Sequence, residues 1–162
     1  MTTAVLNRRA LLAAGGAALA TGVSGLLRPA RAEGVAPTPS MSGGANNYVK
    51  GAPTVERIGK GGFWMSGTVR RAGDGAPLAG QRIQIWAHTT EGQEQEPQSR
   101  GATLTDKNGV FRLEMPQIIP IFGQPHGHLA YDSGEFKTVF LRPVMRSAKE
   151  TSLEAHFVLQ PA

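Results

Sequence analysis

The chain has no cysteine among its 162 residues. That removes a disulfide framework, and it removes thiolate both as a metal ligand and as a nucleophile. Helix-length apolar periodicity and internal repeats are also missing beyond the first thirty or so positions. There is no phosphate-binding glycine loop and no G-x-S-x-G elbow, and nothing in the residue order points to a Ser–His–Asp assembly. Nucleotide hydrolysis, cysteine chemistry and hydrolase-type acyl transfer therefore have no support.

A fourth absence is local. Residues 1–32 contain Arg8, Arg9, Arg28 and Arg31 but no acidic residue. The order is a twin-arginine pair in Asn7-Arg8-Arg9-Ala10-Leu11-Leu12, an Ala/Gly/Leu-rich stretch to Leu27, and a small-x-small site at Ala30-Arg31-Ala32. This is the pattern of a twin-arginine export signal, so the mature protein is expected in the periplasm or outside the cell. The stretch to Leu27 is also long enough for an uncleaved anchor, but its glycines and alanines make it only mildly apolar. Loss of those four arginines lowers the formal net charge from +5 to +1. The basic character belongs to the leader, which leaves no reason to expect nucleic acid, or a membrane after cleavage, as a partner.

What remains after residue 32 is enough for one apolar core. Residues 33–61 are rich in Gly, Pro, Ser and Asn and lack apolar periodicity, which predicts a flexible tether. Only Tyr48 and Val49 within it offer groups for docking onto a domain. From residue 62 to 162 the chain alternates short apolar strands with strong turn signals. The expected strands are 63–71, 81–89, 100–105, 110–115, 126–131, 136–141 and one closing the chain around 153–159. Asp106-Lys107-Asn108-Gly109 marks a hairpin. The pattern predicts an all-β sandwich of seven to eight strands.

His126-Gly127-His128 is the most informative chemical feature. Side chains two apart on a strand share a face, with Cα atoms roughly 7 Å apart. Gly127 leaves room on the other face. Two converging imidazoles make half of a metal site. Gln84, Trp86 and His88 share one face of the second strand, while Ile83, Ile85 and Ala87 share the other. Tyr131, three beyond His128, should point away from the histidine pair.

Taken in order, Ser66-Gly67-Thr68-Val69, Pro77-Leu78-Ala79-Gly80, Ile83-Gln84-Ile85-Trp86-Ala87, Thr105-Asp106-Lys107-Asn108-Gly109-Val110-Phe111 and His126-Gly127-His128 resemble the core of the intradiol ring-cleavage dioxygenases. The first four are shared with transthyretin-like sandwiches and identify architecture, whereas H-x-H leans towards the dioxygenases. The resemblance implies non-haem iron, O2 and a catechol-type aromatic substrate, with Trp86 bordering the substrate pocket. It also implies two histidine ligands, matching His126 and His128, and two tyrosines, which have no counterpart. Glu94 stands near the first tyrosine position, and Ile119 or Phe122 near the second. The family's arginine upstream of H-x-H is replaced by Gly123 and Gln124.

With tyrosinate missing, His88, Glu94 and His156 are the additional candidate ligands. A His/carboxylate set suits Fe(II), Cu(II) or Zn(II). The alternative is a non-catalytic transthyretin-like binding module with incidental histidines. The sequence carries no signal for oligomeric state.

Overall fold

The computed structural model describes residues 34–162; residues 1–33, which include the expected leader, lie outside the described residues. Seven strands form: β1 Phe63–Arg71, β2 Arg82–Ala87, β3 Arg100–Leu104, β4 Val110–Met115, β5 Gly127–Tyr131, β6 Val139–Leu141 and β7 Ser152–Leu159. Each lies where the alternating pattern put it. The largest departure is at β6, where Phe136 makes only an isolated bridge to Pro161 before the strand begins. Between β3 and β4, Asp106 closes the hairpin as expected: its Oδ1 accepts the N–H groups of Asn108 and Val110.

The strands build two sheets, in the orders β4-β1-β7 and β3-β2-β5-β6. The β1–β7 pair is parallel, and the other ladders are antiparallel. With a side-chain period of two, each sheet turns one apolar face inward. Phe63, Met65 and Val69 of β1 join Phe111 and Leu113 of β4 and Phe157 of β7. They pack with Ile83 and Ile85 of β2 and with Leu129 and Tyr131 of β5 in one core cluster.

The opposite face of β2 and β5 ought to be wet, since it carries Gln84, Trp86 and His128. Each of these is only 1% exposed. The cover is residues 38–58, the segment read from sequence as a tether. It runs across the four-stranded sheet and is hydrogen-bonded at both of its edges. Met41 N–H donates to Phe140 on edge strand β6 at 2.8 Å, and Ala102 on edge strand β3 exchanges bonds with Pro53 and Val55 at 2.8 and 2.9 Å. Ile58 N–H then reaches Glu114 of β4 at 2.9 Å. Between the edges, Gln84 donates from Nε2 to the Val49 carbonyl at 2.7 Å, and Trp86 donates from Nε1 to the Asn46 carbonyl at 2.9 Å.

Composition gave no hint of this strap because most of its contacts are made by its backbone, which any residue supplies. They satisfy polar side chains of the sheet that would otherwise be buried without partners. They also occupy edges that would otherwise template pairing with another chain. Tyr48 is the strap's one large aromatic anchor. Its ring packs against Trp86 and Phe140, with centroids 5.7 and 5.1 Å away, and its hydroxyl donates to Asp132.

Gly67 of β1 is the most tightly enclosed of the described glycines. A Cβ there would lie 1.6 Å from the Ala155 carbonyl oxygen and 2.7 Å from Phe111 Cζ. Overpacking of this kind typically costs about 1–3 kcal/mol, sometimes more. Gly67→Ala is expected to reach about 3 kcal/mol of destabilisation in urea unfolding. Ala79→Gly, at an exposed turn, is expected to change far less, and equal stability of the two variants would contradict the packing described.

Candidate metal centre

Three side chains from two segments meet at one end of the strap-covered face: Glu94, His126 and His128. His128 lies on β5, and His126 immediately precedes that strand. His126 is fixed by an isolated bridge to Val144, with Gly127 N–H donating to Pro143 and Met145 N–H to Pro125. Glu94 comes from the loop joining β2 to β3. That loop is folded on itself: Thr89 Oγ1 lies 2.7 Å from Ser99 Oγ, and Glu96 receives Gln93 N–H at 3.1 Å and Gln98 Nε2 at 2.8 Å. Thr90 N–H and the His88 carbonyl tie the loop to Gln117 and Ile119 in the connection that leads to His126. Gly127 faces inward, where a Cβ would come to 3.0 Å from Met65 Cε.

The donor atoms converge. Glu94 Oε1 lies 3.7 Å from His126 Nε2 and 3.5 Å from His128 Nε2. Ligands on bonds of about 2.1 Å around one ion are about 3.0–3.4 Å apart, so little movement separates this arrangement from a closed site. The three residues are 1–7% exposed. Burial penalises the Glu94 carboxylate. That penalty is outweighed by the adjacent His128 ring, the Asn47 amide and the charges on His128 and His126, which hold the carboxyl below its usual range. Burial pushes His126 down, assisted by the charges of Arg142 and His128. At neutral pH the cluster is therefore a carboxylate with a neutral His126 imidazole.

The outer nitrogens fix which inner nitrogens are free. His128 Nδ1 lies 3.0 Å from the Gly44 carbonyl, to which it can only donate. In the neutral ring Nε2 then carries the lone pair, and that buried atom has no hydrogen-bond partner. His126 Nδ1 lies 2.9 Å from the Gln124 carbonyl and 3.3 Å from an Arg142 nitrogen. One proton decides between these contacts, and the shorter one makes Nδ1 the donor. With both rings neutral, the two Nε2 atoms are acceptors that face the carboxylate. A carbonyl holding Nδ1–H while Nε2 stays open is the outer arrangement typical of metal-ligating histidines. An unpaired buried acceptor costs about 1–3 kcal/mol, a deficit that a cation would remove.

A cavity of about 240 Å3 adjoins the cluster, lined in part by His88, Gln93, Ile121, Phe122 and Arg142. Of the additional candidate ligands, Glu94 joins the histidine pair. His88 lines the cavity wall outside the three-donor cluster, and its buried Nδ1 is unpartnered. His156 does not belong to the site: it is on β7 of the other sheet, solvent-exposed and bonded through Nδ1 to Thr68. Trp86, expected beside the substrate pocket, lies behind His128 instead. It stacks on that ring at 5.2 Å and 10°, and is buried away from the cavity lining.

Neither tyrosine joins the cluster. Burial, with the Asp132 carboxylate beside it, pushes the Tyr48 phenol up to about 12. Tyr131 is buried in the core on the opposite sheet face, where its oxygen accepts the Phe136 N–H. Arg142 was not identified from sequence. It follows β6 in the chain, and only the pairing of β5 with β6 brings its guanidinium to the cavity.

No family model matches the chain, and no curated protein matches it. Solved structures do. Hydroxyquinol 1,2-dioxygenase from Pseudomonas putida DLL-E4 aligns with a TM-score of 0.60 at 13% identity, over 79% of this chain and 68% of that one. For 3-chlorocatechol 1,2-dioxygenase from Rhodococcus opacus 1CP the TM-score is 0.58 at 17% identity, over 80% and 74%. The dioxygenase domain of a dioxygenase–carbohydrate-binding fusion from Streptomyces sp. SirexAA-E gives 0.59 at 17%, over 78% of this chain and the whole of that domain. At such identities the shared property is the fold: this chain has the intradiol dioxygenase sandwich.

The positions of the two tyrosines carry a spectroscopic expectation. Protein loaded with Fe(III) should show no visible tyrosinate-to-iron charge-transfer band, and Tyr48→Phe should leave the visible spectrum unchanged. A band abolished by Tyr48→Phe would place that phenol on the metal and contradict the site as described.

Proposed function

We propose that this intradiol-type sandwich holds a single non-haem metal ion through His126, His128 and Glu94, and that it oxidises a small catechol-type aromatic with O2 in the adjoining cavity. The observation that carries this reading is the convergence of two imidazole Nε2 atoms and one carboxylate oxygen in a buried cluster. Two histidines and one carboxylate, with the remaining positions open, are the ligand set of many non-haem Fe(II) oxygenases. Iron is accordingly the proposed metal, with Cu(II) and Zn(II) the competitors for the same donors. When bound, iron would supply open positions for an oxygen-bearing substrate and for O2.

The rest of the site would bind and orient. Ile121 and Phe122 give the cavity an apolar side for an aromatic ring, and Arg142 places a positive charge opposite a phenolate. His88, on the cavity wall, offers its imidazole to a second hydroxyl. Glu94 and the two histidines are shielded by the strap, which limits water to the cavity side. Tyrosinates that favour ferric iron are replaced by one carboxylate, so the reaction would start from a divalent metal. Export by the twin-arginine route is part of the proposal. It rests on residues 7–32 and suits a domain whose metal is loaded before translocation.

Metal content and oxygen uptake test this together. Purified protein is expected to bind one equivalent of Fe(II). In the His126→Ala/His128→Ala double variant the affinity should fall by more than about 100-fold, since even outer-sphere losses cost 10–100-fold. His156→Ala should bind as the native protein does. The iron-loaded protein should consume O2 with catechols, and Arg142→Gln should raise KM. A protein that takes up no metal would favour the non-catalytic binding module. Stoichiometric metal without O2 uptake across a catechol panel would overturn the oxygenase assignment and leave a metal-binding sandwich.

A further inference from the structure

The strap does more than cover the sheet, because two of its residues touch the candidate ligands. The Gly44 carbonyl lies 3.0 Å from His128 Nδ1, and the Asn47 side-chain amide donates to Glu94 Oε2. The carboxylate is thereby divided between two tasks. Oε2 is committed to Asn47, whereas Oε1 faces the two Nε2 atoms. We infer that Gly44 and Asn47 are positioning residues of the metal centre. They hold Glu94 as a ligand through one oxygen and His128 in its metal-binding tautomer, so that strap docking and metal binding form one coupled equilibrium. This inference rests on the metal-site reading and adds the part played by the N-terminal segment.

The local geometry is built for these contacts. Asn47 has φ 56°, a left-handed conformation that few side chains other than Asn, Asp or His tolerate. Gly44 is buried against β6, where a Cβ would lie 3.0 Å from the Met41 oxygen and 3.0 Å from Phe140 atoms. A side chain there would lift the carbonyl from His128. The adjoining strap residues are clamped to the same face, Asn46 by Trp86, Tyr48 by Asp132 and Val49 by Gln84. Trp86 is the shared element, stacked on the His128 ring while bonding the strap backbone one residue before Asn47. A displacement of the strap would therefore release two of the three ligands together.

Linkage makes the coupling reciprocal: if docking favours metal, metal favours docking by the same factor. A carboxylate freed from Asn47 has both oxygens available and can chelate through both, which raises the coordination number and closes an open position.

Co(II) titration of the full chain tests the inference, with the visible d–d spectrum as a readout of coordination number. Asn47→Gly removes the amide and leaves the left-handed backbone unstrained. It is expected to weaken Co(II) binding 10–100-fold, the usual cost of losing an outer-sphere partner. It should also lower the visible extinction as Glu94 becomes bidentate. Tyr48→Phe loosens the strap without touching a ligand and should weaken binding while keeping the native spectrum. In the unsubstituted protein, Co(II) should slow hydrogen exchange at the Gly44, Asn46 and Tyr48 amides, which bond to Met41, Gly43 and Ala45.

Native affinity and spectrum in Asn47→Gly, or unchanged exchange on adding Co(II), would overturn the positioning role while leaving the three-ligand site intact. Failure of the unsubstituted protein to bind Co(II) would overturn both.

Discussion

The structure depends on one buried polar face. The outer side of β2 and β5 carries an amide, an indole and an imidazole where a two-layer sandwich would ordinarily meet water. None of these groups can be buried without a hydrogen-bond partner except at a cost of about 1–3 kcal/mol each. The strap supplies the partners: Val49 for Gln84, Asn46 for Trp86 and Gly44 for His128. Each bond places the strap backbone, and each leaves its sheet residue with one defined orientation. Burial of the face and selection of the histidine tautomer are thus the same event.

The candidate metal centre follows from that constraint. His128 is held from behind by Trp86 and from the side by Gly44, so its remaining nitrogen can look only towards Glu94. His126 is fixed by its bridge to Val144 and by the Gln124 carbonyl. Glu94 is drawn in by Asn47 at the edge of the strap. What results is a low-dielectric pocket that brings one carboxylate and two imidazole nitrogens together, a donor set suited to a cation. The same fold in the hydroxyquinol and chlorocatechol dioxygenases it resembles provides a scaffold. In this chain Tyr48 anchors the strap and Tyr131 fills the core.

Much of the architecture was legible in residue order. Alternation along 63–71, 110–115 and 153–159 set which side chains enter the core, because a strand has a period of two and one wet face. The Asp106–Gly109 turn and the shared face of His126 and His128 follow from the same local geometry. Glu94 was recognisable only through its place in the β2–β3 loop relative to a related fold. Arg142 was not recognisable, because its approach to the cavity depends on the pairing of β5 with β6. His156 was indistinguishable from His88 by composition, although His156 lies on β7 and His88 just beyond the end of β2 in the other sheet. The strap was misread as a tether because its docking is done by carbonyls and N–H groups, which composition does not report.

Residue order by itself determined the strands, the turns, the inward faces and the histidine pair, since these are consequences of periodicity over a few residues. The tertiary structure alone decided that a Gly- and Pro-rich segment lies across the sheet. It also decided that a loop carboxylate meets two imidazoles, that a distant arginine reaches the same cavity, and that both tyrosines stay away. Those outcomes depend on which buried polar atoms find partners across long chain separations, and that match is settled only when the sheets, the loop and the strap pack together.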